Sequence, residues 1–112
     1  MSSLSFAELL TVESLPDGTL VRFNHPHLTR ASARELAAEL FDLARRGNGP
    51  HLYVDLKGVD ALTSQVLLRL IVLNRKLQDL GDRLILLNPQ PHVRDMIQAT
   101  RVSDFLTVGS RG

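Results

Sequence analysis

The chain contains no cysteine in its 112 residues, which excludes disulfides, thiolate metal sites and a cysteine nucleophile. It also lacks a charge excess of either sign: thirteen Lys and Arg stand against twelve Asp and Glu, a formal net charge of +1. No overall field therefore favours nucleic acid or an anionic membrane. Long apolar runs are missing too. The most apolar stretch, Val66 to Leu73, is interrupted by Arg69 and is far shorter than the ~20 residues a membrane-spanning helix needs. Met1 to Phe6 holds no basic segment leading into an apolar run, so no signal peptide is expected and a cytoplasmic location is. Gly-rich phosphate loops, a Gly-x-Ser-x-Gly elbow and triad spacing are likewise absent.

What is present is the balance of an ordinary globular protein, 44% apolar and 22% charged, at a length that fits one domain over residues 1–112. Glu8 to Leu15 and Thr19 to Phe23 are short, rich in Val, Leu and Thr, and separated by Pro16-Asp17-Gly18. That is the pattern of a β-hairpin. Ala31 to Arg46 then carries Ala33, Leu36, Ala37, Leu40, Phe41 and Ala44 at helical spacing, with Thr29 or Ser32 as a candidate cap and Gly47-Asn48-Gly49-Pro50 at its end. A short strand follows at His51 to Leu56, then a loop through Gly58, a helix from Ser64 to Leu80 ended by Gly81, and an apolar strand over Arg83 to Leu87. Pro91 suits the first turn of a last helix reaching about Thr100, and Phe105 to Val108 supplies a final strand before a frayed tail. The order β-β-α-β-α-β-α-β predicts an α/β fold, with a mixed and mostly parallel sheet joined by right-handed crossovers.

The second helix holds more apolar residues than a single buried stripe requires. At about 100° per residue, Val66, Leu70, Leu73, Leu77 and Leu80 share one stripe. Leu67, Leu68, Ile71 and Val72 fall outside it and are expected either to be covered by neighbouring helices or to form a patch for a partner protein. Thr63 and Ser64 stand at the start of this helix. A hydroxyl there caps the helix or accepts a phosphate, which the helix dipole tolerates and an adjoining apolar interface does not.

The segment Tyr53-Val54-Asp55-Leu56-Lys57-Gly58-Val59-Asp60-Ala61-Leu62-Thr63-Ser64-Gln65-Val66 resembles the STAS domain of bacterial anti-sigma factor antagonists. The downstream Gly81-Asp82-Arg83-Leu84-Ile85-Leu86-Leu87-Asn88-Pro89 and Thr100-Arg101-Val102-Ser103-Asp104-Phe105-Leu106 continue that pattern. The family carries an Asp-Ser-Ser-Gly-like sequence at the start of the second helix. Ser64 falls on its phosphorylated serine, Thr63 stands in place of the Asp and Val66 in place of the Gly. The resemblance implies a sheet of four or five strands with three or four helices. It also implies partner switching: unmodified, the domain binds an anti-sigma factor of the serine kinase type, and phosphorylated at Ser64 it lets go. Thr63 is the lesser candidate for the acceptor. The partner surface is expected at Thr63, Ser64, Leu67, Leu68, Ile71 and Val72, with Asp55 and Gly58 shaping the preceding loop. The alternative is an unphosphorylated scaffold or ligand-sensing module, possible as a homodimer.

Other constellations carry less. His25-Pro26-His27 lacks a third ligand nearby, so neither a metal nor any cofactor is expected. Asp55 and Asp60 suggest paired carboxylates, yet an aspartate at a strand end more often accepts backbone N–H bonds in the loop that follows, and no enzyme activity is expected. Arg45-Arg46 and Arg75-Lys76 read as solvated helix faces.

Overall fold

The computed structural model describes residues 10–23, 27–28, 33–47, 49–99 and 107–109. Strands β1 (Leu10–Leu15) and β2 (Gly18–Phe23) form the hairpin, paired antiparallel from Leu10 opposite Phe23 to Leu15 opposite Gly18. Helix α1 (Ala33–Arg46) leads to β4 (His51–Asp55), helix α2 (Ser64–Asp79) to β6 (Arg83–Leu87), and helix α3 (Pro91–Ala99) towards β7 (Thr107–Gly109). These strands form a five-stranded sheet in the order β1-β2-β4-β6-β7, parallel everywhere except in the hairpin. The fold is thus α/β with a mixed, mostly parallel sheet. A further parallel ladder, invisible in the sequence pattern, joins β3 (His27–Leu28) to β5 (Ala61–Leu62) just before α2. Two residues per strand show no periodicity to read. The expected strand start at Glu8, the helix start at Ala31 with its candidate caps Thr29 and Ser32, His25 and Pro26, and the strand start at Phe105 lie outside the described residues.

The sheet advances in one direction from β2 to β7. Successive crossovers of one hand therefore place α1 and α2 side by side on the same face. Burial alternates accordingly. Leu52, Val54, Leu84 and Leu86 are buried, while His51, Tyr53, Asp55 and Ile85 are half exposed on the other face. The core runs continuously from Leu10 and Val21 through Leu36, Leu40, Leu70 and Leu77 to Val93 and Ile97. Because the order of the described strands never reverses, the sheet lacks the switch-point crevice in which open α/β folds bind cofactors.

The hairpin closes against β4 without room for a side chain. A Cβ at Gly18 would meet the backbone carbonyl of His51, and the His51 N–H donates to the Asp17 carbonyl at 3.2 Å. Helix α2 ends in a Schellman motif: Gly81 (φ +83°) donates to the Gln78 carbonyl and Asp82 to that of Leu77. Leu80 is then a cap residue outside the helix and 52% exposed, which removes it from the buried stripe in which the periodicity placed it.

Candidate functional site at the start of helix α2

Strand β4 delivers the chain into the loop that precedes α2. Asp55 closes the strand with both carboxylate oxygens engaged: Oδ1 accepts the Lys57 N–H at 2.9 Å, and Oδ2 lies 3.4 Å from Arg22 Nε. The turn that follows carries a Val59 N–H to Leu56 carbonyl bond of 3.0 Å. Gly58 sits inside it without a positive φ, so its backbone does not demand glycine. Gln90, just before α3, donates from Nε2 to the Lys57 carbonyl at 2.7 Å and ties this loop to the far end of β6. The β3–β5 ladder then fixes Ala61 and Leu62 immediately ahead of Thr63.

Thr63 and Ser64 divide the two roles a hydroxyl can have at a helix start. Thr63 is the N-cap, in extended backbone (φ −88°, ψ 162°), and its Oγ1 accepts the Val66 N–H at 3.3 Å. Threonine and aspartate are both effective N-caps, so the Thr63 departure from the acidic pattern preserves the cap. Ser64 is the first helical residue, exposed, with its Oγ only 3.4 Å from Gln65 Oε1. Val66 is buried in the core, so the side chain that replaces glycine packs inward.

The apolar excess of α2 is split by burial. Val66, Leu67, Leu70, Leu73, Asn74 and Leu77 are buried and together span an arc of about 120° at 100° per residue. Leu67, expected in the partner patch, is 2% exposed and belongs to the core. The buried arc extends beyond the stripe drawn from regular spacing on one side, because Leu67 and Asn74, about two helical turns apart, widen that flank. Ile71 is half buried against the core. Leu68 and Val72 are 57% and 40% exposed. Since residues four apart lie above one another, Ser64, Leu68 and Val72 form one exposed line along the helix.

Asn74 is a residue that hydrophobic periodicity does not single out. It is buried within the apolar arc, and its Oδ1 accepts the Leu84 N–H at 3.1 Å, which ties α2 to the start of β6. No described helix is long and apolar enough to cross a membrane, and no cluster of potential metal ligands occurs among the described residues.

Residues 26–108 match a family model described as "Mlab, STAS domain". No curated protein sequence matches significantly. Among solved structures, an anti-sigma-factor antagonist (STAS) domain protein from Planctomyces limnophilus is 18% identical with a TM-score of 0.78, covering 92% of this chain and 91% of that one. The anti-sigma factor antagonist SpoIIAA in its unphosphorylated form is 18% identical with a TM-score of 0.72, covering 89% and 87%. The Bacillus cell fate determinant SpoIIAA in the phosphorylated form is 17% identical with a TM-score of 0.63, covering 89% and 90%. At these identities the likeness is one of fold.

Proposed function

The chain belongs to the STAS domain family, and we propose that it is a non-catalytic regulatory module of the anti-sigma factor antagonist type, switched by phosphorylation of Ser64. Its partner in this reading is an anti-sigma factor of the serine kinase type, met in the cytoplasm by the first turns of α2. The observation that carries the proposal is the division of labour at the helix start. Thr63 holds the cap, leaving the Ser64 hydroxyl outward and in line with exposed Leu68 and Val72.

A phosphate on Ser64 would bring nearly two negative charges to the N-terminus of α2, where the helix dipole and unpaired N–H groups favour them. The fold tolerates that change. An apolar contact made by Leu68, one turn away, does not, because closing it would desolvate the phosphate. Removal of the modification restores the contact. That two solved SpoIIAA structures differ in phosphorylation state supports carrying the switch over as a proposal.

The test compares Ser64→Ala with Ser64→Asp in capture from native lysate, with mass spectrometry of the wild-type protein at Ser64. The expected result is an anti-sigma-type serine kinase retained by Ser64→Ala, lost by Ser64→Asp, and a phosphorylated Ser64 in a fraction of the wild type. Equal retention by both variants would sink the switch.

A further inference from the structure

Beside the Ser64–Leu68–Val72 line, α1 and α2 leave an open groove of about 240 Å³ between them, lined by Ala37, Ala38 and Phe41 from α1 and by Arg69, Val72, Leu73 and Lys76 from α2. We propose that this groove seats an acidic amphipathic segment of the partner protein, with an apolar side chain on its floor and carboxylates against Arg69 and Lys76. The proposal rests on the protein-binding reading above and names the chemistry of what is bound.

Three features lead to that occupant. The first is charge. Arg69 and Lys76 stand two helical turns apart on the rim, and neither forms an ion pair among the described residues. The carboxylates of α1 do not serve them: Glu39 and Asp42 lie 3.7 Å and 3.0 Å from Arg46, and Glu35, in the first turn of α1, forms no ion pair among the described residues. From Ser64 to Gln78 the helix α2 holds no carboxylate at all. A half-buried guanidinium and a neighbouring ammonium facing one opening attract carboxylates and repel basic partners.

The second is shape. The floor is apolar, and the Arg45 guanidinium lies 5.9 Å from the centre of the Phe41 ring, adding positive charge at the α1 side. The volume is below the ~300–1,000 Å³ usual for small-molecule pockets, but it takes a side chain or two of a helix laid across it. The third is continuity: Val72 belongs both to this groove and to the exposed line that starts at Ser64. Leu68 and Val72 continue the line from Ser64, so an occupant of the groove that extends along it reaches the first turn of α2. A phosphate at Ser64 would therefore act on an acidic occupant by repulsion as well as by desolvation.

The full chain, labelled with nitrogen-15, is titrated with two synthetic helical peptides of equal length that share a leucine face, one flanked by glutamates and the other by lysines. The acidic peptide is expected to shift the amides of Ala37, Phe41 and Val72, and to bind at least about tenfold more weakly, roughly 1.4 kcal/mol, to the double variant Arg69→Glu, Lys76→Glu. The single exposed change Lys76→Glu keeps the test valid if the double variant fails to fold. Equal binding of the lysine peptide, or unaltered binding by the charge variants, would overturn the proposal. Ser64→Asp in the same titration separates the two readings. Unchanged groove shifts there uphold the groove and remove the charge switch, whereas shifts confined to the first turn of α2 overturn the groove and leave the switch standing.

Discussion

The Thr63 hydroxyl meets one of the N–H groups that every helix start leaves without an intrahelical partner. Thr63→Ala is expected to lower stability by about 1 kcal/mol, seen as a melting temperature lower by roughly 4–8 °C for a domain near this size. Ser64→Ala, whose side chain makes only a 3.4 Å contact with its neighbour, should leave the melting temperature within about 2 °C, which corresponds to ΔΔG under about 0.5 kcal/mol. Equal losses from both would show that the cap is shared. Asn74 poses a different residue-scale question. Asn74→Leu adds apolar volume to an apolar arc, yet it removes the acceptor of the Leu84 N–H, and a buried donor without a partner costs about 1–3 kcal/mol. Chemical denaturation should therefore find this hydrophobic substitution destabilising; a neutral or stabilising result would show that water replaces the amide. Sequence periodicity points to neither effect, since Thr63 and Ser64 look equivalent as caps and Asn74 looks like a solvated polar residue.

At the scale of the element, α2 is where the sequence reading and the structure diverge most usefully. Spacing alone recovers Val66, Leu70, Leu73 and Leu77 as buried, because a 3.6-residue period is a local property of the chain. How far the buried arc extends to either side is not local. It depends on which neighbours flank the helix, and that placed Leu67 inside and Leu68 outside. Truncation measures the difference directly. Leu67→Ala is expected to cost about 2–5 kcal/mol as a core cavity, while Leu68→Ala should change stability by less than about 0.5 kcal/mol and instead weaken partner capture. A reversal of that order in urea denaturation would place the partner face on the wrong flank of α2. The C-terminal end teaches the same lesson: Gly81 signals the stop in the sequence, but whether Leu80 falls inside or beyond the helix is decided by the Schellman bonds.

For the whole molecule, the strand order sets where stability concentrates. Strands β2, β4 and β6 are paired on both sides, whereas β1 and β7 are edges of the described sheet. Amide hydrogen exchange should be slowest at Val21, Val54 and Leu86, in the buried centre, and faster by orders of magnitude along β1, since central strands open only with global unfolding. Comparable protection at Val12 would indicate that the β1 edge is covered, by a second copy for instance. The sequence by itself determined the alternation of strands and helices, the hairpin turn, the helix ends at Gly81 and Pro91, and the residues that resemble the STAS pattern, because turn chemistry, capping and periodicity act over a few neighbouring residues. Only the tertiary structure decided the order β1-β2-β4-β6-β7, the β3–β5 ladder that sets Thr63 in place, the burial of Leu67 and Asn74, and the groove between α1 and α2. Each of these depends on residues tens of positions apart being packed together, and a pattern read along one segment carries no record of what lies beside it.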